Sequence, residues 1–266
     1  MHPALPMLAT LQTASTLPDA SALAAMSHVL IVLPAGEEIP ADCPERPLLL
    51  ATLARRRVEA DELADEALSA NTAGGGLRVW LMLDAKKSTF ENHALLREGL
   101  AILLDEEPAA IDVLIAAEAE AGDRMAALAA YVALANGAPL PSRKHKDDAP
   151  QPLAALHLHG VAALPVQARS LAEGNHLART LTVLPPNELT PAAYRARISV
   201  LAQELGWDLE EFDLPRLREM GAGAFVSVAQ GSEATDAAIV RVSLIPPDAK
   251  GRVALVGKGI CFDTGG

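Results

Sequence analysis

The sequence predicts an α/β protein organised as two domains. Three observations carry that prediction. Short apolar runs alternate with stretches of helical length across residues 1–140. A segment rich in proline and charge, 141–152, interrupts the alternation and reads as a linker. From 153 to 266 apolar runs return at short intervals and accumulate toward a glycine-rich end.

Each element has its own reason. HVLIVL at 28–33, stopped by Pro34, is a short buried strand. Residues 46–70 suit a helix with Arg55, Arg56 and Arg57 on its outer face. Gly74-Gly75-Gly76 breaks the chain before a second strand at 77–84. A helix follows from an N-cap at Asn92 to about Glu106, then a strand at 111–116 and a helix at 122–135. In the second part, 153–161 is a strand and 165–182 a helix, which Leu184-Pro185-Pro186 ends. Thr190 caps the next helix, Pro191 fills its first turn and Gly206 closes it. WDLEEFD is a strand, Asp213 caps a brief helix, and AFVSVAQGS and AAIVRVSLI are strands. RVALV, 252–256, is expected to be a central strand feeding the last residues.

Composition narrows the function classes. Half of the 266 residues are hydrophobic but only 3% are aromatic, so cores rest on Ala, Leu and Val. The net charge of −12 repels phosphate backbones and makes nucleic acid an unfavoured partner. Cys43 and Cys261 have no C-x-x-C partner, which points to a reducing compartment. No apolar run reaches the roughly 18 residues of a membrane span. A soluble cytoplasmic protein is expected, with no membrane partner.

The chain closes on VGKGICFDTGG, 256–266. Gly257 and Gly259 bracket Lys258, and Gly265-Gly266 follow Asp263. Glycine permits positive φ and a close backbone approach to a ligand. A phosphate-binding loop is excluded: Gly251 lies one residue too far from Gly257, and glycine stands where Ser or Thr must follow the lysine. No G-x-G-x-x-G occurs here. A metal site fits better, because aspartate is a hard oxygen ligand able to bridge two dications. Lysine can ligate once it has lost its proton, which a nearby dication promotes. A glycine-rich turn with a solvated lysine and a capping aspartate remains the structural alternative.

VGKGICFDTGG resembles the metal-binding signature of the leucyl aminopeptidases, the cytosol aminopeptidases of peptidase family M17. ARTLTVLPPNELTP, 178–191, and LREMGAGAFVSVAQGS, 217–232, resemble two earlier segments of that family, in the same order. The resemblance covers about 165–266 well. It implies an N-terminal α/β (macro-like) domain at 1–140, followed at 153–266 by the first part of a mixed-sheet α/β catalytic domain. Lys258 matches a ligand to one of two metals, and Asp263 matches an aspartate that contacts both. The implied chemistry is hydrolysis of peptides from the amino terminus, leucine-like residues included, with two divalent ions, zinc or manganese. The family also implies a catalytic lysine, further carboxylate ligands, an arginine holding a bicarbonate base, and a homo-hexamer. None of those residues has a counterpart up to Gly266, so this chain alone is expected to be inactive and to bind metal weakly. A second reading makes it a DNA-binding regulator or a non-catalytic interaction module of the same family.

The sequence departs from the family at Val183-Leu184-Pro185, where Asn-Thr-Pro is common, and at Cys261, which packs rather than ligates in our reading. His157 and His159 share one strand face, but no neighbour in sequence completes a metal site, so hydrogen-bonded or solvated histidines are expected. Arg143–Lys146 is followed at once by Asp147-Asp148 and reads as a solvated linker. Ser227 and Ser232 lack the context of a nucleophile.

Overall fold

The computed structural model describes residues 7–142, 150–231 and 234–261. They fall into two compact units, Pro6–Ala178 and a second that holds Arg179–Gly266. The basic cluster 143–146 and Ser232 lie outside the described residues.

The first unit is built on one six-stranded sheet. Its strands are β1 (Thr10–Ala14), β2 (His28–Pro34), β3 (Leu68–Asn71), β4 (Leu77–Leu83), β5 (Ala110–Ile115) and β6 (Ala155–His159). They lie in the order β1-β6-β5-β2-β4-β3, all parallel except β3, which is antiparallel to β4. Five consecutive residues of β2, Val29 to Leu33, are fully buried, as a strand covered on both faces must be. Leu30, Val32, Val79, Leu81, Ile111 and Val113 belong to one core, with helices α3 (Thr89–Leu104) and α4 (Ala119–Asn136). Val29, Ile31, Trp80 and Met82 belong to the other, with α1 (Ala20–Ala25) and α2 (Arg46–Arg56).

Several expectations are corrected here. Residues 46–70 are not one helix: α2 ends at Arg57, left-handed at φ 59°, and a 3-10 turn at Asp61–Ala64 and β3 follow. Arg55, Arg56 and Arg57 are exposed, as expected. Helix α3 begins at the Ser88 cap, not at Asn92. Ser88 and Glu91 form a reciprocal capping box. Asn92 is buried; its Nδ2 donates to the Asp84 carbonyl at 2.9 Å and its Oδ1 accepts from Asp84 N–H at 3.2 Å, tying α3 to the end of β4. Gly99 lets α3 lie close on the sheet, since a Cβ there would come within 2.9 Å of Leu81 Cδ2. Strand β1 and helix α1 precede the first element read from the sequence.

The boundary expected at 141–152 falls within the first unit. Strand β6, expected to open the second domain, sits between β1 and β5. Leu153, just before β6, donates its N–H to the carbonyl of Gly137, which caps α4, at 2.8 Å, so β6 is tied to the first unit. Helix α5 (Val166–Val183) then carries the chain into the second unit.

The second unit contains α6 (Pro191–Leu205), β7 (Asp208–Asp213), α7 (Leu214–Glu219), α8 (Gly223–Ala229) and β8 (Ala238–Ser243). Thr190 Oγ1 accepts from Ala193 N–H at 3.2 Å and Gly206 is left-handed, so α6 begins and ends as its sequence dictates. Strands β7 and β8 form an antiparallel pair. AFVSVAQGS is not a strand. Gly221, at φ 75°, ends α7, and Ala222 N–H caps back on the Leu217 carbonyl. Val226 and Gln230 then make helical bonds to Ala222 and Val226, forming α8. Ser227 lies within α8.

Candidate metal centre

The segment bearing the candidate ligands leaves β8 at Ser243. Ala249 N–H closes a turn on the Pro246 carbonyl at 3.1 Å. From Gly251 onward the described chain has no regular structure. Val253, Leu255 and Val256 are 88%, 93% and 98% exposed. The central strand expected at 252–256 is therefore corrected. A strand needs a neighbour's N–H and C=O groups, and among the described residues β8 is paired with β7 alone.

Lys258 is exposed on this segment. A Cβ placed at Gly257 or Gly259 would meet nothing within 4 Å, so the backbone on both sides of the lysine is unobstructed. Asp263 lies outside the described residues, as do Phe262 and Gly265-Gly266. Cys261 is half-buried; burial and then the charge of Asp236 push its thiol above the ordinary range, so it stays protonated. Asp236 is engaged at the start of α6, where its carboxylate accepts from Ala192 N–H at 3.0 Å. Arg195 donates to the Asp236 carbonyl at 2.8 Å and to Glu211 at 2.9 Å. The donor chemistry at Lys258 and Asp263, one amine and one carboxylate, suits a divalent ion.

His157 and His159 are hydrogen-bonded, and a carboxylate remote in sequence supplies the partner. Parallel pairing sets Asp112 of β5 level with His157 of β6. Asp112 Oδ1 faces His157 Nδ1 at 3.2 Å and His159 Nε2 at 2.8 Å. Burial pushes the Asp112 carboxyl up, but the hydrogen bonds and charges of His159 and His157 outweigh it and hold it below the ordinary range. Both imidazoles converge on the same oxygen. Among the described residues no group of three or more His, Cys, Asp or Glu is placed to hold a metal. No sequence signal brought Asp112 to the histidines; only the strand order does.

Residues 176–266 match the cytosol aminopeptidase family, catalytic domain. A probable cytosol aminopeptidase of Methylobacterium radiotolerans is 45% identical over 109 residues, 41% of this chain and 22% of that protein. One of Rhodopseudomonas palustris is 33% identical over 218 residues, 77% of this chain and 42% of that protein. The chain thus spans less than half the length of these relatives. Among solved structures, leucyl aminopeptidase from Trypanosoma cruzi aligns with a TM-score of 0.61 at 18% identity, over 92% of this chain and 51% of that one. The bottromycin maturation enzyme BotP in complex with Mn aligns at 0.62 and 21% identity, over 84% and 46%. At such identities these two report the fold, which is the α/β fold of leucyl aminopeptidases. With the sequence matches beside it, the chain belongs to the cytosol aminopeptidase family.

Proposed function

We propose that this chain forms part of a cytoplasmic, metal-dependent aminopeptidase that removes amino-terminal residues from peptides. One observation carries the reading: the family match at 176–266 runs into VGKGICFDTGG, with an amine at 258 and a carboxylate at 263. The manganese bound to BotP supports a divalent ion as cofactor, with zinc the other candidate. When bound, a pair of such ions supplies Lewis-acid polarisation of the scissile carbonyl. Lys258 would offer one nitrogen after releasing its proton to solvent. Asp263 would offer two oxygens, enough to reach both ions. Gly257 and Gly259 add no side chain beside Lys258 that would obstruct a peptide backbone. Two side chains are too few to hold two dications against water, so hydrolysis requires ligands beyond this motif. The family resemblance implies a homo-hexamer for the assembled enzyme. The net charge of −12 speaks against a nucleic-acid role.

A chimera tests this. Residues 176–266 replace the corresponding stretch of the Rhodopseudomonas palustris protein, and hydrolysis of a leucine anilide is followed with manganese. Activity is expected, and Lys258→Ala or Asp263→Asn should lower kcat/KM by at least about a hundredfold. An active chimera indifferent to both substitutions would refute the ligand assignment. A chimera folded to the melting temperature of its parent but inactive would refute the function.

A further inference from the structure

A pocket of about 740 Å³ opens on the first unit, between the start of α3, the outer side of α4 and the chain entering α5. That volume lies within the range of small-molecule sites, roughly 300–1,000 Å³. Its walls are mainly apolar, with Leu128 and Tyr131 from α4 and Leu164, Val166 and Leu171 from the α5 side. The last three are 49%, 67% and 58% exposed, so large side chains face water around one concavity. Clustered exposure of that kind marks a binding surface more than chance does. Tyr131 stacks on His93 with ring centroids 5.0 Å apart, giving the pocket a flat aromatic wall.

The charge of the pocket is selective. Thr89, Gln167 and Asn175 are its neutral polar lining. Burial lowers the proton affinity of His93, so it adds no positive charge at neutral pH. Asp123 is the one carboxylate on the lining, which carries no Lys or Arg. An apolar cavity with a single negative group complements an apolar body bearing a single positive group.

We propose that this pocket binds a small molecule with an aliphatic or aromatic body and one ammonium group. The site lies wholly within the first unit and does not depend on Lys258, so it stands apart from the aminopeptidase reading.

Calorimetry of the 266-residue chain with leucinamide, in EDTA to silence any metal, tests the proposal. Saturable one-to-one binding is expected, unchanged in Lys258→Ala. Asp123→Asn should weaken it about fivefold, the upper end for an exposed ion pair. The uncharged analogue 4-methylpentanamide should weaken it to a similar degree. Ala127→Phe, which fills the lining, should abolish it while leaving the melting temperature within a few degrees. No saturable heat, equal binding of the uncharged analogue, or indifference to Asp123→Asn would each overturn the proposal. So would self-association of the chain that buries the pocket, seen as a dimer by light scattering.

Discussion

Arg78 shows how much one residue can organise. It stands in β4 among Leu, Val, Trp and Met, and it is fully buried. Its guanidinium donates to the Leu23 carbonyl at 2.8 Å and the Met26 carbonyl at 3.0 Å, and it faces Glu45 at 3.4 Å. One side chain therefore satisfies the end of α1 and pairs with the residue that precedes α2. Arg78→Met would take the guanidinium away from the Leu23, Met26 and Leu77 carbonyls and from the Glu45 carboxylate. We expect a loss of about 3 kcal/mol in urea unfolding of the first unit. His93 gives a pH signature. Among the described residues its buried Nε2 meets no hydrogen-bond partner, and burial holds its proton affinity below the ordinary histidine value of 6.5. The unfolded chain therefore takes up a proton at higher pH than the folded one does. Stability present above pH 6.5 is lost as pH falls from there toward the folded value. His93→Gln should flatten that part of the stability curve, whereas an unchanged slope would assign it to other groups. Arg78 was not legible as a core residue, because sequence places arginine outside by default. Nor was Asp112, whose role comes from a strand neighbour 45 residues away.

At the scale of elements, legibility followed local chemistry. Helix α6 was readable because its stop and start signals are its own residues: Thr190, Pro191 and Gly206. Thr190→Ala should cost about 1 kcal/mol in thermal unfolding of the second unit, and Thr190→Ser should restore it. The end of α2 was unreadable because Arg57, not glycine, takes the left-handed position. Helix α8 was misread because its valines carry a strand pattern, while the Gly221 turn behind it sets a helix. Strand β1 is five residues of modest polarity that become a strand only against β6. Propensity is a weak prior in such pieces, and tertiary pairing decides them.

For the whole molecule, the α/β class was legible from the alternation of apolar runs, and the order of strands was not. The first unit ends at Ala178 rather than near 140 because β6 completes a sheet begun by β1. The three family segments all fall in the second unit or at its entry, and they carry the functional reading. What that reading requires is an ion drawn to one short stretch of a 266-residue chain. The direct measurement is manganese titration of the ¹⁵N-labelled chain, with paramagnetic broadening read at each backbone amide. At substoichiometric manganese, broadening is expected first at amides from Gly257 to Thr264, and Asp263→Asn should remove it. Broadening that spares this stretch, or that survives Asp263→Asn unchanged, would contradict the metal centre assigned to Lys258 and Asp263.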